Sequence, residues 1–199
     1  MYQILKRIIL IIPWIGIYVK VSAQVLQQGD EILYWTKNNQ LTLDDFRGLP
    51  SREDTILSGV STKNMTHKLG AIIKGIDVLI KTEQGKTVFT IRAGMKKNLS
   101  WIKNYGDTIS LKHEQGHFDI CEIYARILRR DIKRAKSLSE AKEMFEKTTS
   151  DEEIEQGNYD KVNTFQSGGI TPNWKQKILN RLKELESYKK AVVVVPIDN

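Results

Sequence analysis

The segment that most constrains the fold is His113-Glu114-Gln115-Gly116-His117, in which two histidines stand four residues apart. Residues at i and i+4 of an α-helix lie roughly 5–6 Å apart on one face. The two imidazoles can therefore share one Zn²⁺ if this segment is helical. Glu114 would then lie beside the metal, where its carboxylate can take a proton from a water. The spacing predicts a hydrolytic zinc site with His113 and His117 as ligands and Glu114 as general base.

Capping residues predict helices around and after this motif. Asp107 is expected to cap a helix that runs from Thr108 to about Ala135 and contains both histidines. Ser137 and Glu140 form the pattern of a capping box at the start of a second helix. Gly116 lies inside the first helix at a cost of about 1 kcal/mol relative to alanine. This cost indicates that another group approaches the backbone closely there.

The rest of the second half is also expected to be helical. The second helix should continue to Asn163, with Gly157 as a point where it could break. Thr171 and Pro172 then give the start signals of a third helix. Its apolar stripe should lie mostly in the core and consists of Trp174, Ile178, Leu182 and Leu185. The valine-rich tail that follows fits either a strand or an irregular segment.

Strand patterns dominate the first half. Residues 31–36 alternate as in a strand, and Thr42 can cap a short helical turn that closes near Gly48. Between Ala71 and Met95, two β-branched runs flank a glycine-containing turn at 83–86, which predicts a β-hairpin. We therefore expect an α+β, zincin-like fold. In it a small twisted β-sheet packs on the long helix that carries the motif, and further helices complete the single domain at 24–199.

A catalytic zinc needs a third protein ligand, which the motif does not supply. Cys121 lies at i+8 from His113, about 12 Å along the axis, so it is expected to be a buried core thiol. Asp119 and Glu122 point away from His117. A second helix antiparallel to the first can return acidic side chains to the metal, and spacing does not choose among Glu140, Glu143, Glu146, Glu152, Glu153, Glu155 and Asp160. His67 is a further candidate that we interpret as a strand or loop histidine.

The N-terminus has the form of a secretory signal peptide at 1–23. Lys6 and Arg7 precede a 12-residue apolar run at 8–19, and small residues precede a cleavage point after Ala23. An uncleaved membrane anchor is the alternative, but the run is shorter than the roughly 20 residues that span a bilayer. The sequence predicts an exported protein, periplasmic or extracellular, with no stable membrane span after cleavage.

Net charge does not favour a nucleic-acid partner. The chain of 199 residues carries a formal charge of +7, and cleavage removes Lys6, Arg7 and Lys20 with no acidic residue, which leaves +4. Lysines and glutamates alternate over the remaining chain, as on a solvated surface. We therefore expect no nucleic-acid partner; the hydrolytic zinc motif, not the charge, is what predicts a peptide or protein substrate.

Several motifs resemble a known bacterial family. The stretch LKHEQGHFDICEIYARILRR at 111–130 is similar to the signature of domain-of-unknown-function family 922, the predicted secreted zinc-dependent proteases. LTLDDFRGLP resembles the family's L-T-W-x-D-F opening with Leu43 in place of tryptophan, Ser100-Trp101 its S-W pair, and Tyr159-Asp160 its Y-D. The resemblance implies Asp160 as third zinc ligand. The family's T-x-H-G-like stretch after Y-D has no histidine here.

These observations predict an exported zinc metallopeptidase. The strand at 87–95, close in sequence to the motif helix, is expected to take an extended peptide by β-augmentation, in analogy with zincins. Two alternatives remain open: a zinc amidase that acts on cell-wall amides, and a catalytically inactive, zinc-braced binding module. The glutamate of the motif favours catalysis, because a structural site needs no base.

Overall fold

The computed structural model describes residues 31–38, 40–50, 70–83, 86–103 and 107–197. They form an α+β fold with a small antiparallel sheet and three helices. The strands are β1 (Ile32–Tyr34), β2 (Gly70–Ala71), β3 (Lys74–Glu83), β4 (Lys86–Lys96), β5 (Trp101–Ile102) and β6 (Val192–Val195). The helices are α1 (Thr108–Ile132), α2 (Leu138–Val162) and α3 (Pro172–Glu184). None of the helices in these ranges is long and apolar enough to cross a membrane.

Strand β4 is the centre of the sheet. It forms the predicted hairpin with β3, in antiparallel register from Lys74 opposite Met95 to Glu83 opposite Lys86. On its other side it pairs with β1 near one end and with β6 near the other. The prediction that the strand at 87–95 offers a free edge to a peptide is therefore wrong. The valine-rich tail, which the sequence left undecided, forms β6.

The first strand of the β-hairpin begins later in the chain than the sequence predicts. It begins at Lys74, whereas Gly70 and Ala71 pair with Ile102 and Trp101 in a separate two-stranded sheet. The β-propensity of a residue does not show which strand it will pair with, because strand pairing depends on chain segments that are distant in sequence. The expected strand near the N-terminus is confirmed as β1. Thr42 precedes a short 3₁₀ turn, Leu43–Asp45.

The predicted helix starts are confirmed. Asp107 accepts hydrogen bonds from the backbone amides of Ile109 and Ser110, and α1 ends at Ile132, three residues before the expected end. At the start of α2, Ser137 accepts from the amide of Glu140 at 3.1 Å. The Glu140 carboxylate accepts from the amide of Lys136 rather than from that of Ser137, so the capping box is only half formed.

Helix α2 does not break at Gly157. A Cβ atom there would meet nothing within 4 Å, so this glycine lies on an open helix surface with no neighbour to bend the chain. Thr171 and Pro172 begin α3 as predicted. In the predicted stripe of α3, Ile178 and Leu185 are buried, while Trp174 and Leu182 pack partly buried against the core.

Helix α1 lies at the centre of the molecule, and most of its last five turns are buried. Its middle carries a buried ion-pair network. The Glu122 carboxylate accepts from Arg126 Nε and from Arg129 Nη1, both at 2.9 Å. Arg129 Nε also donates to the carbonyl oxygen of Ile91 in β4 at 2.9 Å. The network therefore fixes α1 against the sheet.

Two sequence predictions lie outside the described residues. These are the signal peptide at 1–23 and the alternative ligand His67. The turn at 84–85 of the hairpin also lies outside them.

Candidate metal centre

Three side chains from two helices converge at one point. His113 and His117 lie one turn apart on α1, and Asp160 lies near the end of the following helix, α2. The Nε2 atoms of the two histidines are 3.0 Å apart. Asp160 Oδ1 lies 2.9 Å from His117 Nε2 and 3.3 Å from His113 Nε2. The turn between α1 and α2 thus returns an acidic side chain to the histidine pair, as expected.

The dimensions of this triangle fit one zinc ion. Ligands bonded at roughly 2.0–2.1 Å to a tetrahedral zinc lie about 3.3 Å apart. The three distances between the nitrogens and the oxygen, 2.9, 3.0 and 3.3 Å, are close to that separation. Two imidazoles and a carboxylate also form a donor set that zinc accepts. The residues present therefore fit a zinc site.

The hydrogen bonds behind the imidazoles determine which nitrogens face the centre. His113 Nδ1 lies 3.1 Å from the carbonyl oxygen of Gly169, and His117 Nδ1 lies 2.5 Å from Gln156 Oε1. Both partners are oxygen acceptors, so each Nδ1 carries the proton and donates it. Both Nε2 atoms then present lone pairs toward Asp160. In this tautomer three acceptors face one another at about 3 Å, and either a metal ion or a proton on one Nε2 is needed between them.

The pKa values in the cluster agree with this need for positive charge. Burial tends to lower the pKa of His113, but Asp160 and the nearby Glu114 raise it above its ordinary value. Burial tends to raise the pKa of Asp160, but the hydrogen bonds that it accepts from the two histidines when these are protonated hold it well below the ordinary range. Asp160 is thus a carboxylate that positive charge at the histidine pair stabilises.

Glu114 lies inside the protein beside this cluster. It is 4% exposed, and its carboxylate accepts a hydrogen bond from the backbone amide of Ile72. Gly70 leaves room for it, since a Cβ atom there would lie 3.2 Å from Glu114 Oε1. Burial raises the pKa of Glu114, which makes it a stronger proton acceptor than a solvated glutamate. The segment before β3 therefore fixes the orientation of this carboxylate.

The close approach expected at Gly116 is present. A Cβ atom at Gly116 would lie 2.1 Å from the Tyr159 hydroxyl oxygen. This hydroxyl donates to the carbonyl oxygen of His113 at 3.1 Å. The Tyr159 ring contacts both imidazoles, with centroid distances of 5.1 Å to His113 and 4.8 Å to His117. Tyr159 thus packs α2 directly under the histidine pair.

The other acidic and thiol candidates have different positions. Cys121 is fully buried in the core, as predicted. Asp119 accepts from Trp35 Nε1 at 2.8 Å on another side of α1, and Glu122 belongs to the arginine network. Glu152 pairs with Lys74. The structure brings Asp160 alone of the acidic candidates into one possible ligand group with His113 and His117.

Sequence reasoning missed the groups that orient the histidines. Gln156 was not singled out, although it lies one helical turn before Asp160 and would share its face. That spacing was the available signal. The sequence contains no signal for the carbonyl oxygen of Gly169, because every residue type has a backbone carbonyl acceptor. Its position does depend on glycine, since Gly168 and Gly169 have φ values of 77° and 85°.

Comparison of the chain with protein-family models, with curated proteins and with solved structures finds no match.

Proposed function

We propose that this protein is an exported zinc-dependent hydrolase, specifically a metallopeptidase with a zincin-like arrangement of sheet and motif helix. The observation that carries the proposal is the convergence of His113 Nε2, His117 Nε2 and Asp160 Oδ1 within about 3 Å. The resemblance of residues 111–130 to family 922 implies the same function, but it is not independent support, because that family's function is itself inferred from the same motif. The predicted signal peptide supports export.

The exposure of the cluster favours a catalytic site over a structural one. Structural zinc sites close all four positions with protein ligands, whereas catalytic sites leave one open. The Asp160 side chain is 56% exposed, while those of His113 and His117 are 22% and 12% exposed. The cluster is therefore closed by protein on the histidine side and open to solvent on the carboxylate side.

In the proposed mechanism, His113, His117 and Asp160 would hold the ion, and Glu114 would act as general base. A bound zinc supplies Lewis acidity, which polarises a carbonyl and lowers the pKa of water. The Glu114 carboxylate, held by the Ile72 amide, accepts the proton of the attacking water and can return it to the leaving amine. Gly169 and Gln156 keep the imidazole Nδ1 protons in place, so that Nε2 stays available.

A peptide is the proposed substrate because a strand edge begins beside the site. In the described residues, β3 pairs on one side only, with β4. The start of this edge is near the cluster, since Ile72 binds Glu114 and Lys74 binds Glu152 of α2. An extended peptide could pair with the free side of β3 by β-augmentation. This edge replaces the one that the sequence predicted.

The test is a comparison of wild-type protein with Glu114→Gln, both isolated from the native host. The variant keeps a nearly isosteric side chain but cannot accept the proton. We expect it to retain zinc and to lose roughly 10²–10⁴-fold in cleavage rate on a mixed peptide library. Glu146→Gln, the same change at an exposed position of α2, is the matched control and should keep full activity.

The substrate panel should include cell-wall fragments beside the peptides. Cleavage of cell-wall amides alone would support the amidase instead. Equal cleavage by wild type and by zinc-loaded Glu114→Gln would refute the mechanism. A zinc-loaded wild type that cleaves neither substrate class would leave the zinc-braced binding module as the function.

A further inference from the structure

Helix α2 buries a carboxylate and a carboxamide where a packing surface would favour apolar side chains. Its buried residues recur at helical spacing and are Ala141, Phe145, Thr148, Glu152, Gln156 and Tyr159. Glu152 is 6% exposed and Gln156 is 8% exposed. Burial of such groups costs free energy unless they are hydrogen-bonded, and apolar residues of similar volume often give equal or greater stability. Their presence calls for a role beyond packing.

The Gln156 amide is bonded at both of its polar atoms. Its Oε1 accepts from His117 Nδ1 at 2.5 Å. Its Nε2 donates to the backbone carbonyl oxygen of His117 at 3.1 Å and to Glu152 Oε1 at 2.8 Å. Both acceptors of Nε2 lack protons, so the amide cannot rotate by 180° without placing Oε1 against them. The orientation of Gln156 is therefore fixed, with its oxygen toward the imidazole.

Glu152 is held in turn by a cation from the sheet. Lys74 Nζ donates to Glu152 Oε1 at 2.6 Å, and the two side chains are 15% and 8% exposed. Burial tends to lower the pKa of Lys74, but Glu152 raises it above its ordinary value. Three bonded contacts thus connect His117 on α1 with Gln156 and Glu152 on α2 and with Lys74 at the start of β3.

We propose that Gln156 is a positioning residue that sets the tautomer and ring orientation of His117 for metal binding, and that the Lys74–Glu152 pair holds Gln156 in its working orientation. The inference rests on the proposed function only in taking a metal as the ligand of His117. An acceptor at Nδ1 keeps the proton there and leaves the Nε2 lone pair free. Partners of this kind contribute roughly 10–100-fold to metal affinity.

The first test measures zinc affinity by competition with a chromogenic chelator. Gln156→Met removes the acceptor with little change in length, and we expect it to weaken zinc binding roughly 10–100-fold. Thr148→Val is the matched control, because Thr148 is 5% exposed on the same face of α2, two turns away. Its zinc affinity should equal that of wild type. Co²⁺ loading of Gln156→Met should also give a shifted visible absorption spectrum, which packing loss alone does not produce.

The second test exchanges the two side chains. Gln156→Glu alone places two carboxylates within hydrogen-bonding distance and should weaken zinc binding. Combined with Glu152→Gln, it again places one carboxylate and one amide at the two positions, with an acceptor for His117 Nδ1 and one for Lys74. We expect the double variant to bind zinc within a few-fold of wild type and more tightly than Gln156→Glu alone.

The outcomes separate this inference from the proposed function. If wild-type protein binds zinc and Gln156→Met binds it equally well, the positioning role is overturned and the zinc site stands. A double variant that binds zinc no more tightly than Gln156→Glu alone would also overturn it. If wild-type protein binds no zinc, the proposed function fails, and the inference fails with it.

Discussion

The Tyr159 ring occupies the space that a side chain at Gly116 would need. A Cβ atom at Gly116 would lie 2.1 Å from the Tyr159 hydroxyl oxygen and 2.5 Å from Cζ. The two helices therefore approach each other directly beneath His113 and His117, and the approach depends on the absence of a side chain at Gly116.

Gly116→Ala should therefore destabilise the protein, although alanine favours helices. We expect a loss of about 1–3 kcal/mol from overpacking. Gly157→Ala is the matched control, since a Cβ atom there meets nothing within 4 Å, and it should stabilise the protein by about 0.5–1 kcal/mol. Urea unfolding with a chelator present measures the free energy of unfolding of both variants without a contribution from metal. Equal effects of the two substitutions would contradict the packing seen here.

Purified protein should contain close to one zinc per chain. His113→Ala, His117→Ala and Asp160→Ala should each reduce this content severely, as measured by elemental analysis. A chelator should lower the Tm of wild type, because an ion at 100 times its Kd stabilises the native state by about 2.7 kcal/mol.

Glu153→Ala is the control for these ligand variants, because Glu153 is an exposed acid on the same helix as Asp160. It should keep the full zinc content. Unchanged zinc in both histidine variants would end the metal hypothesis.

Removal of Glu122 should be the most damaging change to an acidic residue outside the metal cluster. Glu122→Ala leaves Arg129 buried without a carboxylate partner, and it leaves Arg126 with only the more exposed Glu186, 3.2 Å away. Such a loss costs about 3–5 kcal/mol. Glu146→Ala removes one partner of a pair in which both side chains are 54% exposed, and it should change stability by about 0.5 kcal/mol or less. Thermal and urea unfolding distinguish the two.

The cap of α1 should make stability depend on pH in the acid range. Burial tends to raise the pKa of Asp107, but hydrogen bonds from Ser110 and from the Ile109 amide hold it below its ordinary value. Its contribution is therefore fully present above the ordinary pKa and is lost as pH falls through the lowered one. Asp107→Ala should cost about 1 kcal/mol at pH 7.

This cost should shrink below about pH 4, the ordinary pKa of aspartate. Asp107→Asn, which keeps an acceptor oxygen, is the control and should cost less at pH 7. A loss for Asp107→Ala that is the same at pH 7 and pH 3 would show that charge plays no part in the cap.

The mature protein should begin at Gln24 if the signal peptide at 1–23 is cleaved. Intact-mass measurement on protein from the native host decides this directly. Recovery of the full-length chain in the membrane fraction would support the uncleaved anchor instead.

Local signals were sufficient for the helices and the β-hairpin. Asp107, Ser137 and Pro172 mark helix starts through bonds or backbone limits that span only a few residues, so the sequence alone identifies them. The helical spacing of His113 and His117 likewise fixed their mutual position. These features depend on neighbours within one turn.

Distant contacts were not predictable in the same way. The position of β4 between β3 and both β1 and β6 depends on pairings across the whole chain, so its free edge was predicted wrongly. Spacing alone left seven acids as candidates for the third ligand, and the resemblance selected Asp160. Gln156 was not predicted because its spacing one turn before Asp160 is a weak signal, and its contact with His117 Nδ1 depends on how α2 packs on α1.

The hydrogen-bond acceptors of the two imidazoles differ in how mutation affects them. The acceptor behind His113 is the backbone carbonyl of Gly169, which every amino acid carries, so a mutation can displace it but cannot delete it. The acceptor of His117 is the side-chain oxygen of Gln156, and many single amino-acid substitutions at Gln156 remove this oxygen. Substitution at Gly169 should displace the acceptor of His113, because Gly169 has a φ of 85° and a Cβ atom there would lie 2.3 Å from the carbonyl oxygen of Ile109. Substitution at Gln156 should instead remove the acceptor of His117 and leave the backbone in place.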